Sequence, residues 1–186
     1  MNFLADQMNK KELFAYLTSK IEAFSWPPTK AVYATSGKSV SSCGISVPMD
    51  DCDHEESETR IMVHIRHALH HGAKTVLVRT VDTDVVVILV GMFHQFLSIQ
   101  PASDIWITYG MGKHHKFLHI NSLCERLGKS RLIGLPVFHT FSGSDTTSFF
   151  NGKGKKIAWK TWQAYEDVTE VFAHIANNLF MQFLIS

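Results

Sequence analysis

A chain of 186 residues, 45% of them hydrophobic and 19% charged, is long enough to bury a core and too apolar for a disordered class. Its formal net charge of +1 excludes a global attraction for nucleic acid, so any such role rests on local patches. Two such patches are present, the acidic run "DDCDHEESE" and the lysine-rich "KGKKIAWK". Cys43, Cys52 and Cys124 are an odd set without CxxC spacing, which argues against a disulfide framework or a zinc knuckle. A reducing, intracellular location, nucleus or cytoplasm, is expected. The longest apolar run, "VVVILVGMF", is far too short to cross a bilayer, and the scattered charges of the first turns leave no secretory segment. No membrane role is expected.

In chain order, "NKKELFAYLTSKIEAF" spaces Leu13, Phe14, Leu17, Ile21 and Phe24 by threes and fours, predicting an amphipathic helix that ends before Pro27 and Pro28. A short strand is expected at "KAVYAT", and residues 36–53, rich in Ser, Gly and Asp, read as a loop. The segment "EESETRIMVHIRHALHHGA" puts Ile61, Met62, Ile65, Ala68 and Leu69 on one helical stripe closed by Gly72. "KTVLVRT" has the look of a buried parallel strand. "VVVILVGMFHQFL" is read as a helix on its length, against its β-branched content. "DIWITYGMGKHHKFLHI" predicts two strands around a glycine-containing turn, followed by a short helix at "NSLCERLG", a segment around Pro136 and a last helical region from about Lys155. Alternating helices and strands imply an α/β domain with a largely parallel sheet.

Three acidic elements stand out. Glu58 lies within roughly 60° of Ile61, Met62, Ile65 and Leu69 on a helical wheel, so it is expected to point inward from the first turn. First-turn acids that offset the helix dipole are the common alternative. Asp82 and Asp84 follow a strand, where side chains at i and i+2 leave an extended chain on one face, and strand carboxyl ends are where open α/β sheets bind ligands. Two carboxylates there repel unless a cation or donors neutralise them, and oxygen ligands without paired His or Cys suit Mg²⁺ or Mn²⁺. Helix capping explains most D-x-D instances. Asp145 lies in "FSGSDTTSFF", where an N-cap is again the ordinary role. The turn "NGKGKK" after it combines glycines, which let amides approach a phosphate, with lysines and a helix start.

The order "EESE", "VDTD", "FSGSDTTSFFNGKGKKIAW" resembles the PIN-like nucleases of the flap endonuclease and XPG type. "DHEESETR", "RTVDTDVVV", "YGMGKHHKF" and "GKGKKIAWKTW" resemble more narrowly a group of transposon-associated PIN-like proteins of animal genomes. The likeness covers about residues 50–170, with 1–49 as an N-terminal helix and loop and 171–186 as a helical tail. It implies a PIN-like three-layer domain with a mostly parallel sheet and a C-terminal helix-two-turn-helix. It also implies divalent-metal-dependent, structure-selective phosphodiester hydrolysis on nucleic acid, DNA ahead of RNA. Glu56, Glu58, Asp82, Asp84 and Asp145 fall on the family's catalytic acids. Of these, Glu58, Asp82, Asp84 and Asp145 would be ligands of Mg²⁺ or Mn²⁺. Gly152, Lys153, Gly154, Lys155 and Lys156 fall on the turn that grips nucleic-acid backbone. The family's first strand and its aspartate have no counterpart here, so a domain incomplete at its N-terminus is expected. Two other readings stand beside this one. A non-catalytic transposon-derived module could bind nucleic acid or protein, and a Mn-dependent D-x-D nucleotide-sugar transferase would leave Asp145 and the lysine turn unexplained.

His64, His67, His70 and His71 crowd one predicted helix, but no cysteine or acid completes a zinc set, and solvated histidines are expected. His114 and His115 fall in a hairpin turn. Trp159 and Trp162 are expected in the core of the last helices.

Overall fold

The computed structural model describes residues 5–44, 47–49, 57–143 and 154–185. They form two compact units, Met1–Val63 and His64–Ser186.

In the first unit, helix α1 (Gln7–Ala23) starts on Asp6, whose carboxylate accepts from the Met8 and Asn9 amides at 2.7 and 3.1 Å. It ends before Pro27 and Pro28 as expected, but its apolar stripe is not buried. Phe14 is 62% and Leu17 45% exposed, because the strands beside the helix are small and serine-rich and offer little surface to bury against. Those strands, β1 (Ala31–Ser36) and β2 (Ser39–Gly44), pair antiparallel from Ala31↔Gly44 to Ser36↔Ser39. The loop expected over residues 36–53 is therefore corrected over β2. Val40 alternates with serines at the period of a strand, and Gly37, at φ 61°, supplies the left-handed residue of a two-residue turn.

Helix α2 (Ser57–His70) crosses from the first unit into the second, and Met62, Ile65 and Leu69 of its predicted stripe are buried. The second unit continues with β3 (Thr75–Thr80), α3 (Thr83–Ile99), β4 (Asp104–Tyr109), β5 (Lys116–His119), α4 (Ile120–Leu127), α5 (Lys129–Phe141), α6 (Lys155–Ala164) and α7 (Asp167–Ile185). The chain is α/β. Its three-stranded sheet runs β3-β4-β5, with β3 parallel to β4 across the α3 crossover and β4 antiparallel to β5. The sheet is thus mixed rather than largely parallel, because the short "GMGKHH" connection lets β5 fold straight back on β4.

Among the described residues β3 is an edge strand, not a strand buried on both faces: Leu77 is 61% exposed while Val78 is 6%. Val78, Ile105 and Ile107 line the covered face. The other face carries Leu77, Arg79, Trp106 and Phe117, and Phe117 is 62% exposed. On this face Leu77, Arg79 and Phe117 are exposed, while Thr108, between Arg79 and Phe117, is buried.

α3 buries Val85, Val87, Leu89, Val90, Met92, Phe93 and Phe96, so its β-branched residues yield to burial on more than one side. α5 packs against it and tolerates Pro136 within its length. Gly91 of α3 makes the room: a Cβ there would lie 2.7 Å from Pro136 Cγ. On its other side α5 joins α6 and α7 in a core of Val137, Phe138, Trp162, Phe172 and Ala176. The Phe138 and Trp162 rings stack at 4.7 Å, and the buried Trp162 indole donates to Thr169 Oγ1 at 2.9 Å. No helix among the described residues is long and apolar enough to cross a membrane.

Candidate functional site

The site lies at the carboxyl end of β3 and is built by the turn into α3. Thr80 Oγ1 accepts the Asp82 amide at 2.9 Å. Asp82, in extended backbone, is the N-cap of α3, and its carboxylate accepts the Asp84 amide at 2.8 Å. The two aspartates therefore do not leave an extended strand on one face as expected. The helix begins between them, because capping satisfies a first-turn amide that would otherwise have no partner. Thr83 Oγ1 lies 3.0 Å from the Tyr109 hydroxyl, which ties the start of α3 to the end of β4. Lys116 of β5 sits 5.6 Å over the Tyr109 ring.

Asp84 turns toward α5. Its Oδ1 is 2.8 Å from His139 Nε2, with the imidazole side chain only 12% exposed and the carboxylate 42%. Lys155, the first residue of α6, places Nζ 2.8 Å from His139 Nδ1 and 3.2 Å from Nε2, and also donates to the His139 carbonyl at 3.4 Å. An ammonium can only donate, so Nδ1 accepts and Nε2–H donates to Asp84. His139 thus lies between the Lys155 ammonium and the Asp84 carboxylate. No sequence pattern marked His139, Thr83 or Tyr109. The available signal was a single histidine in the apolar stretch "PVFHTF", six residues before Asp145.

The other predicted residues are placed unevenly. Glu58 is in the first turn of α2, half-buried, within the first unit, and accepts from Ser57 Oγ at 3.1 Å. Gly154 caps α6 at φ −70°, a conformation open to any residue, and a Cβ there would meet nothing. Lys155 and Lys156 are exposed. Glu56, Asp145, Gly152 and Lys153 lie outside the described residues.

The fit to a divalent cation is partial. Asp82 and Asp84 supply hard oxygen donors two residues apart, yet among the described residues no three His, Cys, Asp or Glu side chains are grouped to hold an ion. One Asp82 oxygen caps the helix and one Asp84 oxygen meets His139, so an ion would share these carboxylates with protein donors.

On α2 the expectation of solvated histidines is corrected for His64 and His67, which are half-buried. Burial, and then the neighbouring His67, lower the His64 pKa from its ordinary value. His71 Nδ1 lies 2.7 Å from the His67 carbonyl, as expected of a helix end rather than a metal site. Trp162 is buried as predicted, with Trp159 packed partly against it. Compared with known proteins, the chain matches no family model, no curated protein and no solved structure.

Proposed function

We propose that the chain is a PIN-like, divalent-metal-dependent, structure-selective phosphodiesterase acting on nucleic acid, DNA ahead of RNA, in the nucleus or cytoplasm. One observation carries this reading: His139 links Asp84, at the end of β3, to Lys155, at the start of α6. The acidic motif and the end of the glycine-lysine turn are thereby neighbours in space although Asp84 and Lys155 are 71 positions apart in sequence. That is the arrangement needed where carboxylates act on a phosphate whose backbone a lysine turn holds.

In this reading Asp82, Asp84 and Asp145 hold Mg²⁺ or Mn²⁺. The bound ions would supply positive charge to the phosphodiester oxygens and lower the pKa of an attacking water. The chain's own residues do the positioning. His139 fixes the Asp84 carboxylate, Lys155 restrains His139 and adds positive charge, and Gly152, Lys153, Gly154 and Lys156 meet the backbone.

One observation favours a second reading, a non-catalytic module that binds nucleic acid or protein. Both aspartates already have protein donors, which is how a fold would retain them without a metal.

Cleavage of a 5′-flap DNA in Mn²⁺ separates the two readings. The nuclease reading predicts cutting by the wild type and a loss of about 100-fold or more in Asp82→Asn and in Asp145→Asn, in line with losing several kcal/mol of charge stabilisation. Lys155→Ala is expected to weaken substrate binding more than turnover. Equal rates for wild type and Asp82→Asn, or no cutting by any, would exclude the nuclease reading.

A further inference from the structure

The open face of the second unit's sheet is an aromatic surface with a basic surround. Register places Leu77, Trp106 and His119 in one row across β3, β4 and β5, and Arg79, Thr108 and Phe117 in the next. Leu77 and Phe117 are 61% and 62% exposed, an unusual exposure for large apolar side chains on adjoining rows of one sheet face.

The Trp106 ring is held in place rather than loose. Its Nε1 donates to Asp104 Oδ2 at 2.8 Å, and the His119 ring stacks on it at 4.4 Å and 23°. His119 is itself fixed between Asp104 Oδ1 at 2.8 Å and Ser122 Oγ at 2.7 Å. The indole and imidazole donors hold the Asp104 carboxyl below its ordinary pKa, so this acid is engaged by neighbouring donors.

The face and its rim also carry basic residues. Arg79 lies in the Phe117 row, and the β4–β5 connection, "GMGKHH", brings Lys113, His114 and His115 with no acid, while Lys116, opposite Tyr109, belongs to the other face. Flat rings on a rigid sheet within a cationic rim match the chemistry of unpaired bases on a phosphate backbone. A protein partner would call for apolar packing without this charge, and a duplex would hide its base faces.

We propose that this sheet face binds single-stranded nucleic acid, with bases stacked on Trp106 and Phe117 and phosphates met by Arg79 and Lys113. The face is distinct from the acidic site, and the proposal shares with the nuclease reading only that nucleic acid is the ligand. Bound at the Arg79 row, a strand lies at the same carboxyl end of β3 and β4 that leads into Asp82.

The test is fluorescence anisotropy of the full chain with labelled dT15 and, separately, a 15-base-pair duplex, without divalent metal. Wild type is expected to prefer dT15. Phe117→Ala and Trp106→Ala are each expected to weaken dT15 binding on the order of tenfold, as loss of one stacked base implies. Phe117 is the decisive position, since its exposed ring can be removed with an unchanged thermal melt. Arg79→Ala should lower the salt dependence by about one phosphate contact. Because no divalent metal is present, the assay reads this face alone, and failure of the nuclease reading leaves its result intact. Phe117→Ala binding dT15 as tightly as wild type, equal affinity for duplex, or self-association through this face in place of dT15 binding would each overturn the proposal.

Discussion

Cys124 is 2% exposed on α4, and burial, with Glu125 nearby adding negative charge, pushes its thiol up to about 12. A raised thiol pKa means that the fold holds its proton where the unfolded chain releases it. Its contribution is therefore fully present below about pH 8.5, the ordinary thiol value, and is lost as pH rises toward about 12. Urea midpoints measured from pH 8 to 10 should fall, and should fall less steeply in Cys124→Ala. The native thiol should also resist a disulfide reagent that modifies Cys43, which is half-buried. Residues of this kind were legible only in part. Asp82 was placed correctly after a strand, but the competition between extended chain and helix cap is decided by which amides lack partners, and sequence spacing does not show that. His139 was missed because its meaning comes from Asp84, 55 residues away.

At the scale of elements, α5 and α7 pack through a glycine. A Cβ on Gly134 would lie 2.9 Å from Phe172 Cβ and 3.3 Å from the Ala173 amide, neither of which is the free end of a flexible side chain. Gly134→Ala should therefore destabilise the second unit by about 1–3 kcal/mol through overpacking, despite the better helix propensity of alanine. Thermal melts would check this, with exposed Gly154→Ala as a near-neutral control. Long periodic segments such as α2 and α3 were readable because burial follows their spacing. β2 was not, since serines serve a half-exposed strand as well as a loop. The exposed stripe of α1 shows the same limit: helical spacing predicts a face, and only tertiary structure says whether anything covers it. The edge position of β3 depended likewise on which strand pairs beside it, which "KTVLVRT" alone does not state.

At the scale of the molecule, the α/β class follows from the alternation of elements, and the mixed sheet from one short connection. What composition could not supply is convergence. A net charge of +1 hides an acidic strand end, a lysine-bearing helix start and an aromatic sheet face, each meaningful only where the fold sets it. The proposed site has acids far apart in sequence sharing one divalent cation beside Lys155. Calorimetric titration of Mn²⁺ into wild type and into Asp82→Asn/Asp145→Asn tests it most directly. A shared site gives saturable binding by the wild type that is lost in the double variant with the fold retained; no binding by the wild type, or equal binding by both, would overturn it.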